Sequence, residues 1–451
     1  MFKDKKIAIL GLGMEGKDLV RFFLQKGATI TVFDKKSEVE LDLSGIDKAA
    51  ITLSMGNAYL DKGLEGFDYV FRSPGVYRYI PEILKAESRG VAISSAIKLF
   101  FELCPAKIIG VTGTKGKGTT SSLIYEILKS AGRDVYLAGN IGVPYLELLP
   151  KLTKESFVVL ELSSFQLIDM ESSPQIAVVQ NITQDHLDWH KDLDEYIDAK
   201  KNIVKHQKDN DFAIISADYK VPESFSSLTK AEVLYFSRNK KVKGSFSSDG
   251  NVYLSTDKEI LLGGARDLLL RGEHNLENVT AAVAASGVLD ISPQAIWNAV
   301  SSFKGLEHRL ELVGRAKGIS FYNDSFATGP QPTIAAVKSF SEPLTVILGG
   351  SEKGLDYKDL GEEISKAENL VSVILIGQVG PKIKEALQKA GYKGKMIDMG
   401  RASMDEIVGE AVLNTPQGGV ILLSPAAASF DMFKDYKDRG KKFKSAVEAL
   451  G

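Results

Sequence analysis

Short apolar runs alternate with longer stretches of helical spacing along most of the chain, and that alternation sets the expected architecture. KIAIL (6–10) precedes a glycine turn and the amphipathic stretch KDLVRFFLQKG; TITVFD (29–34) and DYVFRSPGV (68–76) follow. A short apolar run bounded by turn residues reads as a strand, and 3.6-residue spacing after it as a helix. Repeated strand–helix alternation builds a parallel sheet covered by helices. The pattern restarts after Cys104-Pro105 with KIIGVT (107–112), then DVYLAG, FVVLELS, IAVVQNI and DFAIIS. From about 230 to 272 it gives way to LYFS, GSFSS, NVYLS and KEILL, read as an antiparallel insertion with a hairpin turn at Asp249-Gly250. HNLENVTAAVAASGVL returns to helix, and a last alternating unit carries ISFYND, LTVILGG, VSVILIG and GVILLS. The expectation is an α/β protein of three domains. They are an α/β domain over 1–103, a larger central α/β domain with the small antiparallel insertion over 104–305, and a third α/β domain over 306–451.

Composition narrows the partners more than the fold. At 451 residues the chain exceeds what one core serves, and 44% apolar with 25% charged residues is ordinary for a globular protein. The formal net charge of −2 and scattered Lys and Arg offer nothing to a phosphate backbone, so no nucleic acid is expected. One cysteine, Cys104, excludes an intramolecular disulfide and any multi-cysteine metal site; beside an apolar run and Pro105 it reads as a packing residue. No apolar stretch approaches the roughly 20 residues of a membrane span. The charged start MFKDKK runs into the glycine turn rather than a signal peptide's apolar region. A cytoplasmic location without membrane insertion is expected.

Two glycine turns carry the chemistry. GLGMEG (11–16) lies between a strand and a helix, and Asp34 closes the next apolar run at the spacing of a carboxylate that grips a ribose. Alone, this reads as a nicotinamide or flavin oxidoreductase. GVTGTKGKGTT (110–120) argues otherwise. Its glycines let backbone N–H groups approach phosphate oxygens, the helix start adds a favourable field, and Lys117 sets a charge between β- and γ-phosphates. The P-loop pattern is imperfect: Val111 stands where a glycine belongs and Gly118 where a hydroxyl belongs, leaving Thr119 or Thr120 to reach Mg²⁺. A glycine turn without a ligand is the alternative.

Further acidic and basic groups follow. Glu161 emerges at the end of FVVL, the edge where α/β sheets bind ligands, and suits Mg²⁺ unless a lysine pairs with it. His186 and His190 stand four apart, as in a zinc helix, but Leu187 replaces that motif's glutamate and no third ligand is evident. His186 beside Asp185 fits one ligand of a metal-phosphate site better. Lys200 and Lys201 lie on a helix that by itself reads as a solvated face.

In order, these stretches are followed by EHNLENVTAA, GLEHRLE, NDSFATGP, GGSEKG and LLSPAAASFDMFKDYKDRG. Together they resemble the Mur ligases, ATP-dependent amide-bond ligases of peptidoglycan precursor synthesis, over essentially the whole chain. The resemblance implies a Rossmann-like first domain that binds UDP rather than NAD, a central P-loop ATPase-type domain and a Rossmann-like C-terminal domain. Gly13, Met14 and Glu15 would serve the diphosphate turn, Asp34, Lys35 and Lys36 the uracil end, and Ser73, Pro74 and Gly75 the site wall. Asn140, in GNIG, and Ser163 would lie near the muramoyl substrate. Gly113, Thr114, Lys115, Gly116, Lys117, Gly118 and Thr119 would hold ATP, with Asn278 on adenine, Arg309 on phosphate and Asp324 on ribose. Glu161, His186, Thr119 and Lys200 would hold two Mg²⁺ ions, Lys200 as a carbamate formed with CO₂; Lys201 is its rival by adjacency. Lys117, His186 and Lys200 are the implied catalytic set. Thr328, Lys353, Ser429 and Tyr436 would form a D-glutamate pocket.

The reaction so implied joins D-glutamate to UDP-N-acetylmuramoyl-L-alanine through an acyl phosphate, in a monomer. Two departures stand out. Gly118 lacks the usual hydroxyl, and Phe326 replaces a lysine frequent in NDSKAT-like segments. Addition of L-alanine or a diamino acid by the same chemistry, and an NAD-dependent dehydrogenase, remain the rival expectations.

Overall fold

The computed structural model describes residues 2–38, 41, 43–140 and 143–451. Contacts divide the chain into two compact units, Met1–Gly263 with Asn278–Ala299, and Gly264–Glu277 with Val300–Gly451. The first unit contains two sheets and the second contains one.

The first sheet is built from β1 (Lys6–Leu10), β2 (Thr29–Asp34), β3 (Ile51–Met55), β4 (Tyr69–Arg72) and β5 (Ala92–Ser95). Its order is β3-β2-β1-β4-β5 and every pair is parallel. Ile7, Ala8, Ile9 and Leu10 are fully buried, and the helix Met14–Gln25 covers them with Leu19, Val20 and Phe23. The chain leaves β1 toward β2 on one side and returns to β4 on the other, so a crevice opens at the carboxyl end of β1. Gly16 makes that turn possible, because a Cβ there would collide with the carbonyl oxygen of Gly11.

The second sheet continues with β6 (Lys107–Thr112), β7 (Val135–Gly139), β8 (Phe157–Glu161), β9 (Ile176–Val179) and β10 (Phe212–Ser216). It ends with β11 (Glu232–Ser237), β12 (Gly244–Ser248), β13 (Asn251–Ser255) and β14 (Glu259–Gly264), in the order β14-β13-β12-β11-β10-β9-β6-β8-β7. Here the strand order turns at β6, which lies between β9 and β8 and feeds the second glycine loop. LYFS departs from expectation. It belongs to β11, which runs parallel to β10, and β12 runs parallel to β11 in turn. Antiparallel pairing begins only at β12–β13, across Asp249 (φ 51°) and Gly250 (φ 73°). The helix Lys220–Ser224 and the turn after it give β10 the crossover that a parallel neighbour needs.

The third sheet comprises β15 (Glu311–Ala316), β16 (Ile319–Asn323), β17 (Leu344–Gly349), β18 (Leu370–Ile376), β19 (Lys395–Gly400) and β20 (Val420–Leu423), ordered β15-β16-β20-β17-β18-β19. Only β15 is antiparallel to its neighbour. β17 and β20 are buried along their whole length, as parallel strands with helices on both faces must be. The fold is the expected three-sheet α/β architecture.

Candidate active site

A cavity of about 870 Å³ opens at the carboxyl edge of the first sheet. It is lined by Gly13, Met14, Glu15, Asp34, Lys35, Lys36, Ser73, Pro74 and Gly75, all expected there, and also by Asn57, Tyr59 and Tyr77. Ser73 Oγ donates to the Gly11 carbonyl at 2.7 Å and ties the β4 loop to the glycine turn. Asp34, expected by spacing on a ribose and by the resemblance at the uracil end, is also tied to the backbone of the turn. Its Oδ2 accepts from the Leu12 N–H at 2.7 Å and its Oδ1 from the Lys36 N–H at 2.9 Å, so the carboxylate also holds the turn closed. Tyr59 and Tyr77 were not legible as pocket residues, since neither sits in a turn motif.

At the end of β6 the chain turns through Gly113 and Gly116 into the helix Lys117–Ser130. Gly116 caps this helix at φ 88°, and a Cβ there would strike the Asn278 side-chain oxygen. Asn278 Oδ1 accepts from Gln180 Nε2 at 2.8 Å and from Thr120 Oγ1 at 3.3 Å. Thr120 is thus spoken for, and Gln180, unmarked in the sequence, joins loop, β9 and Asn278. Thr119, next to it, makes no hydrogen bond through its hydroxyl among the described residues, which leaves it the better placed of the two to reach a metal. Lys117 Nζ donates to the Gly113 and Thr114 carbonyls at 3.1 and 3.0 Å, so its ammonium lies over the loop.

Glu161 ends β8, one strand away, paired with Val111 of β6 and Gly139 of β7. Only 8% exposed, its carboxylate accepts no hydrogen bond from the described residues. A nearly buried carboxylate in that state fits a cation, and an oxygen donor set of Glu161 and Thr119 fits Mg²⁺. Asn140 stands beside it, its N–H 3.3 Å from the Glu161 carbonyl. Ile141 and Gly142 of GNIG lie outside the described residues. Ser163 caps the short helix Ser164–Leu167 in a capping box with Gln166.

Lys200 and Lys201 part company. Lys201 pairs with Asp198 on the surface at 2.6 Å. Lys200 is 1% exposed, 2.9 Å from the Gly113 carbonyl and 4.8 Å from the centre of the Tyr196 ring. Burial, reinforced by the Lys117 charge and opposed by Asp185 and Glu161, pushes its amine well below the usual lysine range. His186 has a left-handed backbone (φ 53°) and its ring lies 4.8 Å from Phe165. A non-glycine residue held in that region is a mark of function or strain. His190 is buried between Ser164 Oγ (2.9 Å) and Glu195 Oε2 (3.2 Å), which gives it a structural place and ends the two-histidine zinc reading. Among the described residues no cluster of three or more His, Cys, Asp and Glu could hold a metal by itself.

In the second unit Asp324, Thr328, Lys353 and Ser429 fall on loops after β16, β17 and β20, neighbours in the sheet, while Tyr436 opens the helix Tyr436–Glu448 and Arg309 precedes β15. The Arg309 guanidinium stacks on the Phe326 ring at 4.1 Å, and Tyr436 meets that ring edge-on at 5.0 Å. Phe326 therefore supplies an aromatic face to a cation where a lysine would repel one. Asp324 Oδ2 accepts from Ser424 Oγ at 2.7 Å and Oδ1 from the Leu310 N–H at 3.2 Å; burial pushes its carboxyl up to about 7. Lys353 Nζ lies 5.5 Å over Phe430, beside buried Ser429, and Thr328 is exposed. Arg439 was missed. Fully buried, it donates to the Ser325 hydroxyl and carbonyl (3.0 and 2.9 Å) and to the Ala427 carbonyl (3.1 Å), joining two of these loops.

Three α/β sheets, two of them with glycine turns at their switch strands and one of those with a phosphate loop facing a buried carboxylate, define a nucleotide-dependent enzyme of the α/β class. Models of the Mur ligase MurD-like N-terminal domain, the Mur ligase middle domain and the Mur ligase glutamate ligase domain match residues 5–95, 111–286 and 308–427. The chain is 42% identical over 460 residues to a UDP-N-acetylmuramoylalanine–D-glutamate ligase of Acetivibrio thermocellus, covering 99% of this chain and 97% of that one. It is 40% identical to the Clostridium tetani enzyme of the same name, with the same coverage. Among solved structures it resembles the UDP-N-acetylmuramate-alanine ligase MurC of Thermotoga maritima (TM-score 0.59, 19% identity, 99% and 100% covered). It likewise resembles the MurF ligase of that organism in complex with ADP (TM-score 0.57, 17% identity, 100% and 96% covered). At such identities the structural likeness is one of fold. The chain belongs to the Mur ligase family.

Proposed function

We propose that this ligase joins D-glutamate to UDP-N-acetylmuramoyl-L-alanine, forming ADP and phosphate, for peptidoglycan precursor synthesis. The observation that carries the reading is the meeting of Lys117, Glu161 and Lys200 at the ends of β6 and β8, in a chain whose full-length relatives bear that enzyme's name. The substrate carboxylate attacks the γ-phosphorus of ATP, giving an acyl phosphate and ADP. The D-glutamate amine then attacks the acyl carbon, loses a proton, and phosphate leaves.

In this reading the loop from Gly113 to Thr119 and the Lys117 ammonium neutralise the phosphates through transfer. Glu161, Thr119 and His186 would hold Mg²⁺, which would supply positive charge beside the phosphates. Lys200, whose ammonium form is disfavoured by burial, is the amine able to take up CO₂: the nitrogen of its free-amine form bonds to carbon, one proton leaves, and a carboxylate takes the amine's place. Asn278, Arg309 and Asp324 are assigned to ATP, the cavity of the first sheet to UDP, and Thr328, Lys353, Ser429 and Tyr436 to D-glutamate. The working domains are 1–103, 104–305 and 306–451, in a cytoplasmic monomer; no helix among the described residues is long and apolar enough to cross a membrane.

The test is phosphate release with ATP, Mg²⁺ and UDP-N-acetylmuramoyl-L-alanine, comparing D-glutamate with L-glutamate, L-alanine and a diamino acid. Release that depends on D-glutamate, with an amide product by mass, is expected. Release with another acceptor moves the specificity within the family, and silence with every acceptor overturns the reaction.

A further inference from the structure

The short helix Ser164–Leu167, which follows Glu161 by two residues and is capped by Ser163, is gripped from the cavity of the first sheet along two separate paths. On one, Glu15 lines that cavity and its Oε1 accepts from Gln166 Nε2 at 2.7 Å. Gln166 Oε1 in turn accepts from both the Ser163 N–H (2.9 Å) and the Ser163 hydroxyl (3.0 Å). On the other, Tyr77 lines the cavity and its hydroxyl donates to Glu195 Oε1 at 2.6 Å. Glu195 Oε2 lies 3.2 Å from His190 Nδ1, and His190 Nε2 lies 2.9 Å from Ser164 Oγ. A neutral imidazole protonated on Nδ1 satisfies both contacts, donating to the carboxylate and accepting from the serine hydroxyl.

Both paths run through buried atoms. Gln166, Ser164 and His190 are 1%, 2% and 3% exposed. Buried hydrogen bonds fix geometry because a broken partner is left without water to replace it. Between the two paths, Arg72 of β4 donates to the Phe165 carbonyl at 3.0 Å, and Phe165 packs on His186 and Trp189 at 4.8 and 4.3 Å. Every residue from Ser163 to Gln166 is thus held by groups that end at the cavity wall or on β4.

We infer that Glu15 and Tyr77 are positioning residues: through Gln166 and through Glu195–His190 they set Ser163 and Ser164 beside Glu161, so that filling the first cavity tightens nucleotide binding at the phosphate loop. The inference rests on the proposed assignment of UDP-substrate to that cavity and of ATP to the loop. Linkage makes the effect reciprocal.

The experiment measures, by calorimetry and without turnover, the affinity of a non-hydrolysable ATP analogue with Mg²⁺, alone and with saturating UDP-N-acetylmuramoyl-L-alanine. The wild-type protein is expected to bind the analogue about fivefold or more tightly with the second ligand present. Tyr77→Phe and Glu15→Ala each reduce that factor, and together bring it below about twofold, with analogue affinity alone unchanged. Glu15→Gln, which keeps an acceptor for Gln166, restores it. A wild-type factor of one, or variants that weaken only the UDP-substrate while the factor persists, overturns the inference. Coupling that persists in a protein lacking D-glutamate-dependent phosphate release would strike the reaction and spare the positioning role.

Discussion

Two lysines lie over the same loop, and their surroundings give them opposite tasks. Lys117 opens a helix and donates to two loop carbonyls, contacts that a phosphate oxygen, a stronger acceptor, can take over. Its charge is the useful property, so Lys117→Ala is expected to abolish ADP formation while UDP-substrate binding persists; near-normal turnover would remove Lys117 from the mechanism. In the proposed reaction Lys200 serves only without its proton. Burial and the Lys117 charge both disfavour the ammonium, and a neutral amine is the form that adds CO₂. Lys200→Ala is expected to lower kcat by about 100-fold or more, and to remove a carbamate signal from the ¹³C spectrum in labelled bicarbonate. Lys201→Ala, which breaks only a surface ion pair, is expected to stay within about twofold. Equal losses from the two variants would argue that the helix, not the amine, matters.

Helices and loops show why some of this was readable beforehand. Both glycine turns announce themselves locally, since a tight turn, a strand before it and a helix after it occupy a few consecutive positions. The choice of Lys200 over Lys201 was also available from spacing: Tyr196, Ala199, Lys200 and Ile203 form one buried stripe of the helix Leu193–Lys205, and Lys201 falls off it. Strand direction was not, because side chains alternate with the same period in parallel and antiparallel strands, and LYFS was misread on that account. Gln180 and Tyr77 gain their roles from partners 60 or more residues away, and Arg439 from joining Ser325 to the nearer Ala427, which no local pattern encodes. Gly116 combines both kinds of information. Its left-handed φ is local, while the Asn278 oxygen that would meet a Cβ comes from a distant helix. Gly116→Ala therefore carries backbone strain of about 1 kcal/mol and also displaces Asn278 and Thr120. Calorimetry is expected to show ATP affinity reduced about tenfold or more with UDP-substrate affinity intact; unchanged ATP binding would show the loop to be tolerant at its cap.

At the scale of the molecule, each compact unit buries, among the described residues, one aspartate whose proton is held far more tightly than in an unfolded chain. Asp18 accepts from the Leu146 N–H at 2.9 Å, Asp324 from Ser424 and Leu310, and burial pushes each carboxyl up to about 7. Between the ordinary carboxylate range and pH 7 the folded protein binds more protons than the unfolded one. Stability from these two groups is therefore fully present at acid pH and lost as pH rises through about 7. Buried His190 and His308 act in the opposite sense, since burial favours their neutral forms and acid must charge them on unfolding or in place. Comparing variants isolates the carboxyls from this background. Asp18→Asn and Asp324→Asn carry no proton to lose, so each is expected to raise Tm over the wild-type protein at pH 8, by about 3 °C or more, with the advantage shrinking toward pH 5. Only Asp324→Asn should also weaken ATP, because only Asp324 is assigned to its ribose. A Tm advantage independent of pH would mean that the amide gains its stability from better packing, and that neither carboxyl titrates near neutrality.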